Sequence, residues 1–369
     1  MSEPKRVLHV FAALDSGGVA NFVMNAYRRI DRSKVQFDFA LTSGQESMSD
    51  SEARSLGGRT FYFSPELSLC ESLRRVLTED GPFDAVHSHV FFYSGLVLKT
   101  AKRCGVPVRI AHAHNADTGE GSSLLRRAYR TAMRHLIRKN ATLMLGCSEK
   151  ACRYVFGERC MSDGRTLVMP DGIDCERFAF NAEVRERVRA YYGLDDKFVV
   201  GHVGHFNPAK NHEKILSVFA ELSKNRENAA LLLVGDGENE DEVRRSVEAL
   251  GLGDRVVFAG AHRDVENMYQ AMDVFLFPSR YEGFGMAMIE AQANGLACVA
   301  SDVVPQDTNA DGRAVYLPLS ADDGVWAKAL LSAPERSMSG AAAVKQRFDA
   351  SATASGLQKI YEGTEYTNV

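Results

Sequence analysis

Two glutamates flank a glycine turn in the segment FPSRYEGFGMAMIEAQANGLACVASD, where Glu282 precedes Gly283, Phe284 and Gly285, and Glu290 follows. A flexible turn that opens a helix exposes backbone N–H groups suited to phosphate or sugar oxygens, and carboxylates, which only accept hydrogen bonds, suit hydroxyl groups. The ligand implied carries both. The step from Glu282 to Glu290 is about 2.2 helical turns, so an early helix start would keep both carboxylates near one face. The surrounding MAMIEAQANGLACV is apolar, so Glu290 is expected to be partly buried and to need hydrogen-bond partners. A pair of surface carboxylates on a charged helix is the plain reading, and this apolar context weakens it.

A lysine stands where a second phosphate contact would be. In GHVGHFNPAKNHEKIL a strand ends at Gly204, a loop follows, and Lys210 sits just before a helix. Its ammonium and the helix N-terminus would reinforce each other at an anion. Near the start of the chain, FAALDSGGVANFV runs from a strand through Gly17 and Gly18 into a helix, a turn at which a diphosphate would fit. Neither this turn nor GDGENED, with Glu240 at the third glycine's place, has the G-x-G-x-x-G spacing of dinucleotide sites. No cofactor is expected.

Two histidine pairs close strands, His87 and His89 in AVHSHV, and His112 and His114 in IAHAHN. Alternate residues of a strand share a face, so each pair can project into one crevice. No carboxylate at metal-site spacing accompanies them, so no metal is expected. Satisfied histidines that hold loops together are the alternative.

The elements that must position these residues alternate between apolar runs of strand length and amphipathic helical segments, the pattern of parallel sheets with helices on both faces. The expected fold is α/β, with two facing Rossmann-like domains and a cleft between them. Residues 1–180 form the first domain, expected to bind the acceptor, and residues 196–340 the second, expected to bind the donor. Residues 341–369 form a helical tail able to pack back on the first domain. The polar stretch from Asn181 to Asp196 reads as the boundary. In such sheets, ligands bind beyond the carboxyl ends of the strands.

At 45% apolar and 25% charged residues the composition suits a globular protein, and excludes disordered and fibrous classes. No apolar run approaches the ~20 residues of a membrane span, and the first residues lack the pattern of a signal peptide. Seven cysteines without a C-x-x-C pair argue against a disulfide framework or zinc motif, so a cytoplasmic setting is expected. Residues 1–178 hold 25 Lys/Arg against 20 Asp/Glu, while the remainder hold 19 against 28. The basic residues Arg126, Arg130, Arg134 and Arg138 recur every four positions beside Leu125, Tyr129 and Met133. That stripe can lie on an anionic membrane surface, on the inner face of the cell membrane, or it can be the solvated face of a helix packed on its own sheet. No nucleic-acid partner is expected.

The chain resembles retaining glycosyltransferases of family 4, which include many capsular and exopolysaccharide sugar transferases. The resemblance runs nearly end to end, through GGVANFV, DAVHSHV, RIAHAHN, CSEKACRYVFG, MPDGIDCERF, GHVGHFNPAKNH, LLLVGDGE, VVFAGAHRDV and, most specifically, EGFGMAMIE. It implies the B-type glycosyltransferase fold, no metal requirement, and transfer with retention from a nucleotide-sugar, a UDP-sugar in the expected case, to a glycan or lipid-linked acceptor. By the same resemblance Glu290 holds the donor ribose, Glu282 lies beside the transferred sugar, and Gly283, Phe284 and Gly285 offer backbone to the donor. Lys210 binds the diphosphate, which Gly17 and Gly18 border, and His112 or His114 approaches the reacting sugar. His87 and His89 are expected on the acceptor side. His205 stands where the family commonly has arginine, which weakens that phosphate contact and makes it pH-dependent. A nucleotide-sugar 2-epimerase and a nucleotide-sugar-binding partner without catalysis are the competing readings.

Overall fold

A computed structural model of the chain describes residues 3–14, 18–47, 49–114 and 123–363. The chain divides into two compact units, Met1–Gly172 with Ala350–Val369, and Ile173–Asp349. Unit 1 is built on β1 (Lys5–Phe11), β2 (Val35–Leu41), β3 (Thr60–Tyr62), β4 (Ala85–Ser88), β5 (Val108–Ala113), β6 (Leu143–Gly146) and β7 (Thr166–Val168). They form one sheet in the order β3-β2-β1-β4-β5-β6-β7, with every pair parallel.

Unit 2 carries β8 (Phe198–Val203), β9 (Ala229–Val234), β10 (Val256–Gly260), β11 (Val274–Phe277), β12 (Ala297–Ser301) and β13 (Val315–Leu317), ordered β10-β9-β8-β11-β12-β13 and again parallel throughout. Parallel strands are covered on both faces and so read as unbroken apolar runs. β9, AALLLV, is buried at every position. In each sheet the order reverses beside the first strand of the unit, which places a ligand crevice at the carboxyl ends of the neighbouring strands.

Two expectations about chain organisation need correction. The polar stretch after residue 180 is a helix of unit 2, Ala182–Tyr192, with Asn181 capping its start. Its charge is the reason it folds there. Arg185 donates to the Gln270 and Met272 carbonyls at 2.8 Å each and pairs with Asp273 at 2.6 Å, while Arg189 donates to the Ala271 carbonyl at 2.9 Å. These carbonyls end the helix Val265–Ala271, where unpaired C=O groups attract cations. The tail from residue 341 is also not one piece. Helix Met338–Phe348 belongs to unit 2, and helix Ala350–Glu362 belongs to unit 1, where Ala354, Leu357, Ile360 and Tyr361 join the core.

Candidate functional site

In unit 2 the loop after β8 is held open for a lysine. Asn207 Oδ1 accepts from the backbone N–H groups of Ala209 and Lys210, and Asn211, at φ +59°, donates its side-chain amide to the Pro278 carbonyl at 3.1 Å. Arg280 N–H donates to the Ala209 carbonyl at 2.7 Å, which ties this loop to the one after β11. Lys210 Nζ then meets Glu282 Oε1 at 2.6 Å, 4.9 Å from the centroid of Phe277. The lysine stem crosses Gly204, where a Cβ would sit 3.2 Å from it. The two side chains are 20% and 9% exposed, so this charge pair is mostly withdrawn from water yet still reachable.

The helix Met286–Ala293 begins at Gly285, whose φ of +95° only glycine adopts without strain. No side chain caps this start, so the first turn keeps amides for an anion. Since the helix begins at residue 286, Glu282 lies outside it, and the two carboxylates do not share a helical face as the spacing suggested. Glu282 is placed by Lys210. Glu290 lies inside the helix, 8% exposed, with Oε2 accepting from the Tyr269 hydroxyl at 2.7 Å. Burial pushes the Glu290 carboxyl above its ordinary range, against the Tyr269 hydrogen bond and the Arg177 charge. Phe284 is buried and packs edge-on against Phe348, and Gly283 precedes it in the turn.

Tyr269→Phe should therefore destabilise unit 2 by about 1–3 kcal/mol, the usual result of leaving a buried acceptor short of its donor. Urea unfolding followed by the fluorescence of Trp326, the chain's one tryptophan, buried in the same unit, measures it.

His205 is 54% exposed, and its ring lies between Asp236 at 3.2 Å and Glu238 at 3.3 Å. Two carboxylates at that distance compete with any phosphate for the imidazole. Gly237, at φ +151°, lets the carboxylate-bearing loop reach this position, because a Cβ there would come within 2.6 Å of the Phe206 carbonyl oxygen.

In unit 1 five histidines form one buried cluster. His87 and His112 lie on β4 and β5, His89 and His114 directly follow them, and His9 of β1 joins from the neighbouring strand in register with His87. Two hydrogen-bonded chains run through it. The Tyr361 hydroxyl meets His87 Nδ1 at 2.6 Å, and His87 Nε2 meets His112 Nδ1 at 3.2 Å. His9 Nδ1 meets His89 Nε2 at 3.1 Å, His89 Nδ1 meets His114 Nε2 at 2.8 Å, and His114 Nδ1 faces Asp171 at 3.3 Å. Phe22 packs edge-on against His112. Burial pushes His9 down to about 3, and His87, His89 and His112 well below the ordinary imidazole value, so these rings are neutral.

His9, Asp171, Tyr361, Tyr269 and Arg177 were not among the residues singled out from sequence. Strand alternation gave one usable signal, since His9 sits in VLHVF as His87 sits in AVHSH. Gly18 opens the helix Gly18–Arg29; Gly17 lies outside the described residues.

Two doubly wound parallel sheets give the chain the two-domain architecture of B-type glycosyltransferases, and a lysine–glutamate pair and a glycine-started helix stand at the strand ends of one of them. The Anabaena protein HepE, crystallised with UDP-glucose, superposes with a TM-score of 0.82 over 97% of this chain and 99% of its own, at 17% identity. Residues 17–172 match the family described as glycosyl transferase 4-like domain, and residues 184–317 match glycosyl transferases group 1. EpsF of Bacillus subtilis (strain 168) is 36% identical over 372 residues, 98% of this chain and 97% of that one. The capsular polysaccharide biosynthesis glycosyltransferase CapH of Staphylococcus aureus is 24% identical over 303 residues, 81% of each chain. The chain belongs to this family of glycosyltransferases.

Proposed function

We propose that the protein transfers a sugar, with retention of anomeric configuration, from a UDP-sugar to a glycan or lipid-linked acceptor in the synthesis of a surface polysaccharide. The observation that carries this reading is the Lys210–Glu282 pair, with Glu290 buried in the glycine-started helix that follows. Glu290 accepts the ribose hydroxyls, Lys210 and the backbone of Gly283, Phe284 and Gly285 receive the diphosphate, and Glu282 faces the transferred sugar. The acceptor oxygen attacks the anomeric carbon on the face the diphosphate leaves, the bond to the phosphate oxygen breaks, and the leaving phosphate takes the acceptor's proton. Charge that develops on the diphosphate is met by groups already in place, which is where catalysis of this kind gains most. Donor cleavage in this scheme needs no metal. HepE's complex with UDP-glucose and the name of CapH support the donor and the pathway.

In unit 1 we assign the acceptor, with His87 and His89 positioning His112 and His114. Of the latter two, His114 is the ring we place beside the sugar, because it is 9% exposed where His112 is 1%. Proton NMR of the sugar released by slow hydrolysis of UDP-α-glucose and UDP-α-galactose tests the reading, with the α anomer expected before mutarotation. The β anomer first would reject retention, and a changed sugar at the donor stage would favour an epimerase.

We also place unit 1 on an anionic membrane surface, at the cytoplasmic face. No described helix is long and apolar enough to cross a membrane. Helix Leu124–Asn140 instead carries Leu124 and Leu125, 82% and 85% exposed, beside Arg126 and Arg127. The cationic stripe expected from sequence is only partly available. Arg134 donates to the Tyr154 and Val155 carbonyls, and Arg130 and Arg134 lie over Phe92, so both serve the packing of their own unit. Arg138 remains exposed. Wild type is expected to sediment with vesicles containing anionic lipid at low salt, and a Leu124→Ser, Leu125→Ser, Arg127→Ser variant to stay in solution. Equal sedimentation of both would reject this surface.

A further inference from the structure

Three of the clustered histidines have the geometry of ligands. His89, His112 and His114 each bring one ring nitrogen to within 4.8 Å of the others. They are 7%, 1% and 9% exposed. The second nitrogens of His89 and His112 are each hydrogen-bonded to another histidine, and that of His114 lies near a carboxylate without a hydrogen bond to it. His89 Nε2 faces His9 Nδ1 at 3.1 Å, His112 Nδ1 faces His87 Nε2 at 3.2 Å, and His114 Nδ1 faces Asp171 Oδ1 at 3.3 Å. The nitrogens not engaged by these outer contacts are His89 Nδ1, His112 Nε2 and His114 Nε2. The first and last lie 2.8 Å apart, and His112 Nε2 has no hydrogen-bond partner among the described residues.

A buried imidazole nitrogen without a partner forfeits its hydration, and His9 Nε2, His114 Nδ1, His202 Nε2 and both nitrogens of His212 share that state with His112 Nε2 among the described residues. His112 differs from His202 and His212 in standing among three imidazoles within 4.8 Å of one another. A metal ion would remove the deficit. Metal–nitrogen bonds of about 2.0–2.1 Å in a tetrahedron set ligand nitrogens roughly 3.3 Å apart, so the pair at 2.8 Å needs only to open slightly. Outer partners on the second nitrogen of each ligating histidine are the usual companions of such sites, with a carboxylate behind histidine the commonest pattern. An all-imidazole set selects ions of the zinc, cobalt, nickel and copper group over magnesium and calcium, which prefer oxygen.

We propose that His89, His112 and His114 form a site for a divalent transition-metal ion of the zinc class, oriented by His9, His87 and Asp171. The site lies in unit 1 and involves none of Lys210, Glu282 and Glu290. It ties the strand ends of β4 and β5 together through one ion. Because His114 is also the ring placed beside the reacting sugar, a bound ion and the sugar compete for it; this consequence alone rests on the transferase reading.

The test is titration of the chelator-treated full chain with Co²⁺. The visible bands of four-coordinate Co²⁺ should appear, saturate at one ion per chain, and vanish on addition of Zn²⁺. Asp171→Asn should weaken the ion by about 10- to 100-fold, as loss of an outer partner does. His112→Asn should abolish the bands. If His112→Asn fails to fold, the wild-type titration and Asp171→Asn decide the matter. Only the weak bands of six-coordinate Co²⁺, as the exposed His205 between Asp236 and Glu238 could give, or equal binding in folded His112→Asn, would overturn the site. Loss of transfer in step with Co²⁺ occupancy is expected; occupancy without that loss would move His114 away from the sugar and leave the metal site standing.

Discussion

Lys210→Ala is expected to lower kcat/KM for sugar transfer by a factor of about 10²–10³, or roughly 3–4 kcal/mol, as loss of one preorganised donor at a developing anion does. The effect should fall mainly on kcat. Lys210 already stands 2.6 Å from Glu282 with its stem over Gly204, so no rearrangement is needed when charge builds on the leaving diphosphate. Removing it also leaves Glu282, whose side chain is 9% exposed, with its charge unpaired. Lys210→Met alone therefore cannot separate the two roles. The double variant Lys210→Met, Glu282→Gln removes both charges and should restore stability, while its turnover should fall below that of Glu282→Gln alone by the lysine's share. Steady-state kinetics of nucleoside diphosphate release, together with urea midpoints, make the separation. Near-normal turnover in Lys210→Ala would remove the lysine from the mechanism.

The second large effect is on stability. With a chelator present, unit 1 should lose stability steeply as pH falls below about 6.5. The sign follows from burial. His9, His87, His89 and His112 have folded values depressed below the ordinary one, so under acid the unfolded chain takes up protons that the folded chain refuses. Each such group removes stability as pH falls between its unfolded and its folded value, so the loss begins near the ordinary imidazole value and deepens with acid. Unit 2 has His202 and His212 depressed for the same reason and should decline about half as steeply. Far-UV circular dichroism should therefore change at higher pH than the fluorescence of buried Trp326. Stability unchanged from pH 7 to 5 would show that these rings accept protons in place.

The strands were legible because parallel pairing buries both faces, which makes runs such as AALLLV unmistakable. β13 was missed. It has three residues at a sheet edge, none of them fully buried, and nothing local distinguishes it from a turn. Helix Ala182–Tyr192 reads as a domain boundary in the sequence because its stability comes from arginines that reach carbonyls some eighty residues away, a long-range contact with no periodic trace. The helical tail was legible as helix, but not its division at residues 349–350 between the two units.

The residues proposed for the donor come from a motif rather than from geometry. Glu282, Gly285 and Glu290 stand close in sequence, and the glycine marks the helix start. What the spacing concealed is that the positive φ of Gly285 delays the helix and separates the two carboxylates into different settings. Tyr269 and Arg177 could not be found, because a tyrosine on a short helix and an arginine in a loop carry no signal until the fold brings them to Glu290. The same holds for Asp171 and Tyr361. Each is an ordinary residue type whose meaning lies wholly in the histidines beside it.

Donor binding is the claim on which the rest stands, and isothermal titration with UDP and with UDP-glucose measures it most directly. Wild type should bind both at one site per chain, and Glu290→Ala should lose affinity for both by tenfold or more, because a buried carboxylate that holds the ribose serves either ligand equally. Glu282→Ala should bind UDP as wild type does and lose only the sugar's share. Unchanged UDP affinity in a folded Glu290→Ala variant, or no binding of any nucleotide or nucleotide-sugar to wild type, would contradict the account.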